Sequence, residues 1–361
     1  MTRLFLALLL VGCTPYGGAA FGTGDRSDRE TPAPAPVDRA ADCPAPDCPD
    51  GDCAVGADSV LWEDGGVRPC DVLGTCDDDY WAFLELAESE GDARTQEALR
   101  ESITALFDGG TRYEEGPTDP EVLREAIVSA TNLEFLLDGI AARPLRVAEV
   151  RREPWSRGTQ IELAIEDPWV GEFSALLFVP DTDPPHVGLV AHPGHWEDAD
   201  EHRDLRHVDE LVRAGFAVAV LDARAHEADV VESDLTEAML VAGHTFMAVR
   251  VYETLLLRRV LRARADVHPD RIALTGHSGG SSSGNLAVRL DDGWAAYASD
   301  FLTEYLYATP QWEYVDETVP DLHRWFPVIN DLDTSSVPSL LFEYGFPEGG
   351  AALASGLCGA M

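Results

Sequence analysis

The sequence predicts a three-layer α/β fold around a mostly parallel sheet. Three observations carry that prediction. From residue 187 onward, short apolar strands alternate with segments of helical length and period. Phe216 to Leu221 is an unbroken apolar run, the pattern of a strand buried on both faces. A glycine-rich turn at 276–280 joins a strand pattern directly to a helix pattern. The chain has 361 residues, enough for one well-buried core with an appendage. It carries 65 acidic and 26 basic residues, a formal charge of −39. Such a field repels a phosphate backbone, so nucleic acid is excluded as a partner.

The first 12 residues read as an export signal. Arg3 precedes the apolar stretch Leu4 to Val11, which is too short to span a bilayer as a helix. Leu10-Val11-Gly12-Cys13 resembles the lipobox of bacterial lipoproteins, which implies lipidation of Cys13, a membrane anchor and an outer-membrane location in the cell envelope. Residues 13–78 form an acidic linker. Thr31 to Pro36 alternates proline and should be extended. Residues 41–80 hold 11 Asp or Glu against one Arg. Cys43, Cys48, Cys53, Cys70 and Cys76 fit no zinc spacing, and export permits disulfides, so disulfide pairing is expected here, with Cys358 available to an odd cluster.

An N-terminal helical segment is expected over 79–142. Asp79 to Phe107 carries an apolar stripe, and Pro120 to Leu137 follows with Asp119 as cap and Pro120 in the first turn. The domain proper covers 143–361. Leu145–Val150, Gln160–Ile165 and Phe173–Val179 read as an antiparallel opening. Strands follow at Val187–Ala191, Phe216–Leu221, Arg271–Thr275, Trp294–Ser299 and Val337–Tyr344. Helices are expected at Glu201–Ala214, over most of Leu235–Ala265, and at Gly279–Leu290. An apolar last strand would be an edge inviting association unless Ala351 to Leu357 covers it.

The chemistry centres on Gly276-His277-Ser278-Gly279-Gly280. A Gly-x-Ser-x-Gly between strand and helix forces the serine into a sharp turn at a helix N-terminus, where developing negative charge is favoured. Four further stretches accompany it: Ala191-His192-Pro193-Gly194-His195-Trp196, Ala219-Val220-Leu221-Asp222-Ala223-Arg224, the helix opening Met239-Leu240-Val241-Ala242-Gly243, and Val267-His268-Pro269-Asp270-Arg271-Ile272. With these motifs the chain resembles the α/β-hydrolase superfamily, and within it the acetyl-xylan-esterase and dienelactone-hydrolase-like group. The resemblance implies a three-layer sandwich, here lacking the usual C-terminal strand and helix and read as truncated. It implies a carboxylic-ester hydrolase with Ser278 as nucleophile and the Gly279 N–H in the oxyanion hole. The second donor should come from Gly194 or His195, because Pro193 has no N–H. Glu348 aligns with the family's acid.

The family's histidine follows that acid, and no histidine follows His323. Three explanations stay open: a truncated or frameshifted hydrolase, a non-catalytic descendant with a binding or structural role, or a relocated base. His323 is the candidate for the last, with Asp300 or Asp331 as its partner. His192 and His277 read as structural. His195, Glu197, Asp198, Asp200 and His202 crowd one loop, but their spacing matches no defined metal site. No cofactor or metal is expected. The partners expected are a small ester or an acylated carbohydrate, and the membrane through Cys13.

Overall fold

The computed structural model describes residues 119–137, 140–224, 235–236, 239–240, 243–300, 332–342 and 350–361, together with Glu317, Val319 and Leu322. The lipobox, the cysteine cluster at 43–76, the helix expected at 79–107, the aromatic run 301–314, His323, Asp331 and Glu348 lie outside the described residues.

α1 (Pro120–Thr131) starts as its sequence predicts: the Asp119 side chain accepts from the Glu121 N–H and Pro120 stands at the first position. It stops at Asn132, whose left-handed backbone closes the helix, and a short α2 (Glu134–Leu137) follows. Three long strands then form an antiparallel meander: β1 (Arg146–Trp155), β2 (Gly158–Asp167) and β3 (Gly171–Pro180). β4 (His186–His192), β5 (Phe216–Asp222), β6 (Val267–Gly276), β7 (Tyr297–Ser299) and β8 (Ser339–Leu341) run parallel to one another. The eight strands are ordered β1-β2-β3-β5-β4-β6-β7-β8.

The period of two in β5 produces the three layers. Ala217, Ala219 and Leu221 face a core shared with α1, α5 (Phe246–Arg262) and α6 (Gly279–Leu290). Phe216, Val218 and Val220 face a second core with α4 (Val208–Arg213) and α7 (Gly350–Ala360). Both faces of the central strands are therefore covered, which is why their sequences are continuous apolar runs.

Two of the expected helices are each broken in two. The long helix expected over 235–265 is broken. Gly243, at φ +83°, donates to Leu240 and His244 donates to Met239, which closes one helix in a left-handed turn. Thr245 then caps α5 by accepting from the Ala248 N–H at 3.1 Å. The helix expected at Glu201–Ala214 is likewise two: α3 (Ala199–Leu205) and α4, with His207 at φ +62° between them.

At the far end, α7 packs on the sheet beside β8. Leu353 and Leu357 are fully buried, with Leu340 and Phe342 against the same core. The edge is thus covered by the segment that the sequence left as the one available cover. The expected disulfide is corrected. Cys358, the cysteine among the described residues, is an exposed free thiol on α7, and a bridge needs a second cysteine whose Cα lies within about 7 Å. Among the described residues, no helix is long and apolar enough to cross a membrane.

Candidate active site

Ser278 stands between β6 and α6 at φ 49°, ψ −118°. That is a strained backbone for a residue with a Cβ. Ser278 is the N-cap residue of α6, yet its side chain makes no capping bond. The hydroxyl is thereby left to other chemistry. The turn is held by Gly280 N–H to the His277 carbonyl and Ser281 N–H to the Ser278 carbonyl, both at 2.8 Å.

The turn needs glycine because the end of β4 presses on it. A Cβ on Gly280 would stand 2.5 Å from the Pro193 carbonyl oxygen. A Cβ on Gly194 would stand 2.7 Å from the His277 ring and 3.0 Å from the Ser278 Cβ. His277 N–H also donates to the His192 carbonyl at 3.1 Å. The loop after β4 and the serine turn are therefore one packed unit, as the motif pair suggested.

Behind the serine lies a buried polar chain. Asp300, fully buried just beyond β7, accepts from the Ser278 N–H at 3.3 Å and from the Ser281 hydroxyl at 3.4 Å. Its other oxygen takes the Nδ1–H of His277, and Arg206 donates to the Nε2 of the same ring. A guanidinium can only donate, so Nε2 accepts and Nδ1 carries the proton. Arg206 also donates to Glu197, which takes a further bond from the Nδ1 of His202 at 3.0 Å. Burial works to raise the Glu197 carboxyl, but the bonds from His202 and Arg206 prevail and hold it at about 2. Burial lowers His202, against the pull of Glu197. His192 is driven down to about 3 by burial, and its Nδ1–H donates to the Pro193 carbonyl.

The loop residues read as possible metal ligands are spent on structure. Asp198 caps α3 by accepting from the Glu201 N–H at 2.7 Å, and Asp200 pairs with Arg203. Among the described residues no group of three or more His, Cys, Asp or Glu is placed to hold a metal.

The architecture is now defined: a parallel sheet with an antiparallel opening, helices on both faces, and a strained serine between β6 and α6. The fold is that of an α/β-hydrolase. A Bacteroides fragilis NCTC 9343 protein provisionally named an acetyl xylan esterase matches this hydrolase fold with a TM-score of 0.55 at 15% identity, over 72% of this chain and 78% of that one. Acetyl xylan esterase 1 from Thermoanaerobacterium sp. JW/SL YS485 gives 0.42 at 15% identity, over 71% and 97%. A glucuronoyl esterase from Solibacter usitatus gives 0.39 at 14%, over 75% and 82%. The first shows the fold, and the other two carry no argument. No protein-family model and no curated protein matches the chain by sequence.

Of the predicted site residues, the hydrolase fold brings Ser278, Gly279, Gly194 and His195 together. Asp300 is at the site as well, but its partner is His277. Arg206 and Glu317 had no sequence signal. Arg206 meets His277 across 71 residues. Glu317, buried beside His195, comes from a segment that reads as an aromatic insertion. Arg224 pairs with Glu253 on α5 and with the carbonyls of Val170 and Glu172.

Proposed function

We propose that the chain is a serine-dependent carboxylic-ester hydrolase of the cell envelope, anchored through a lipid on Cys13. The observation that supports this reading is the backbone of Ser278. A residue held at φ 49° costs on the order of 1–3 kcal/mol, and such strain persists at functional turns. A tight structural turn would be met more cheaply by glycine at that position.

In this reading the Ser278 Oγ attacks the ester carbonyl. The Gly279 N–H, at the first position of α6, holds the developing oxyanion, helped by the helix terminus. Gly194 N–H is turned toward Glu197 at 3.4 Å, so the second donor is the N–H of His195. The substrate is a small ester or an acylated carbohydrate, the class named for the Bacteroides relative. Glu348 is the residue that the resemblance aligns with the family's acid, and His323 is the sequence's candidate for a relocated base.

The test is turnover of p-nitrophenyl acetate by the full chain and by its Ser278→Ala variant. A rate lost in a folded variant supports the hydrolase. Equal background rates in two folded proteins favour a non-catalytic descendant that uses the fold for binding.

A further inference from the structure

We propose that His195, backed by Glu317, is the general base for Ser278, a proposal that rests on the hydrolase reading above. The position after the serine is open in a Gly-x-Ser-x-Gly motif, and this chain has Gly279 there. A Cβ on Gly279 would stand 2.5 Å from Cε1 and 2.7 Å from Nδ1 of His195, and 3.0 Å from Oε1 of Glu317. An imidazole and a carboxylate thus fill the space of the missing side chain, against the peptide that donates to the oxyanion. The two groups are 3.6 Å apart, and their side chains are 3% and 1% exposed.

The loop brings its backbone up to the serine, and the ring packs against the next residue, Gly279. Gly194 passes so close that its Cβ would lie 3.0 Å from that of Ser278, and His195 is the next residue. Nδ1 lies on the side of the carboxylate, 3.6 Å from it, so in this proposal Nε2 is the nitrogen that serves the hydroxyl. A base so oriented by an acid is the arrangement an unactivated serine needs. In this proposal the bond between base and hydroxyl forms as substrate fills the site. The other described histidines near the serine are committed elsewhere. His277 uses both ring nitrogens, on Asp300 and Arg206. His192 faces the Pro193 carbonyl, and His202 faces Glu197.

The proton balance closes without a co-reactant beyond water. Oγ bonds to the carbonyl carbon as its proton passes to Nε2, and the C=O pair moves to oxygen. Collapse breaks the bond to the leaving alkoxide, which takes the proton from Nε2. Water then repeats the sequence on the acyl-serine and releases the acid.

The experiment uses the full chain, p-nitrophenyl acetate, and the variants Ser278→Ala, His195→Ala and Glu317→Gln, with thermal melts to verify folding. His195→Ala should lose on the order of 10²–10⁴ in rate, and added imidazole should restore at least tenfold of it. A structural role gives no such rescue. Glu317 favours the imidazolium, and His192, held down at about 3, is neutral in the working range and sets no charge against it. Removing the Glu317 charge therefore lowers the pKa of the base, and the acid limb of kcat/KM in Glu317→Gln should move to lower pH by about one unit. Full turnover in His195→Ala overturns the assignment and leaves the hydrolase standing. So does a loss without imidazole rescue together with an unmoved acid limb. Wild-type protein without Ser278-dependent turnover overturns the hydrolase reading and this one with it. If His195→Ala does not fold, the acid limb of Glu317→Gln decides alone.

Discussion

The left-handed backbone at Ser278 separates two substitutions that both delete the hydroxyl. Alanine keeps a Cβ at φ 49°, ψ −118°, and so keeps the strain. Glycine relieves it, gaining about 1–3 kcal/mol, and gives back about 0.5–1 kcal/mol in chain entropy. Ser278→Gly should therefore be more stable than Ser278→Ala by about 1 kcal/mol in urea denaturation, with both inactive. Equal midpoints would mean that the turn stores no strain. The residues that make this turn were legible in the sequence because they are contiguous: Gly276, Ser278 and Gly280 form one local motif whose geometry is dictated by backbone sterics. The residues that support it were not. Asp300 and Arg206 reach it from 22 and 71 residues away in the chain, and nothing in the neighbours of Arg206 marks it. Asp300 was singled out because it follows a strand, but its partner could not be read, since His277 and His323 are equally available to it on paper.

Elements were legible wherever both ends carry chemistry. Asp119-Pro120 starts α1 where a cap and a first-turn proline require it, and α6 spans Gly279–Leu290 as its pattern predicts. The break in the long helix before α5 was missed because apolar periodicity continues through it. The stop is made by one glycine at positive φ and one threonine cap, both tolerable inside a helix pattern. α7 was missed for the opposite reason: Gly350–Ala360 is nearly all small or apolar, with no charged face to reveal a helical period. Its burial gives it a measurable role. Leu357→Ala removes a fully buried side chain from the core that covers β8, at a cost of about 2–5 kcal/mol. It also loosens the cover of an edge strand whose Leu341 is already 47% exposed. The variant should show a lower urea midpoint and concentration-dependent light scattering that the wild type lacks. An unchanged midpoint would show that α7 does not hold this end of the sheet.

At the scale of the molecule the dominant property is charge. A chain with 65 acidic and 26 basic residues should place a negative potential over its site. The −39 formal charge does not choose the fold, which is set by two apolar cores on either side of β5. It acts on what approaches. The screening length is about 30 Å at 0.01 M salt and about 10 Å at 0.1 M, so salt removes the field over the distances of encounter. An anionic ester is held off at low salt and a cationic ester is drawn in. If Ser278 hydrolyses esters, kcat/KM for an acetate ester bearing a sulfonate should rise on the order of threefold between those salt concentrations. That for an ester bearing a quaternary ammonium should fall by a similar factor, and that for a neutral ester of the same size should stay level. The neutral ester separates screening from any effect of salt on the protein itself. A common response of all three would show that the net charge exerts no field at Ser278.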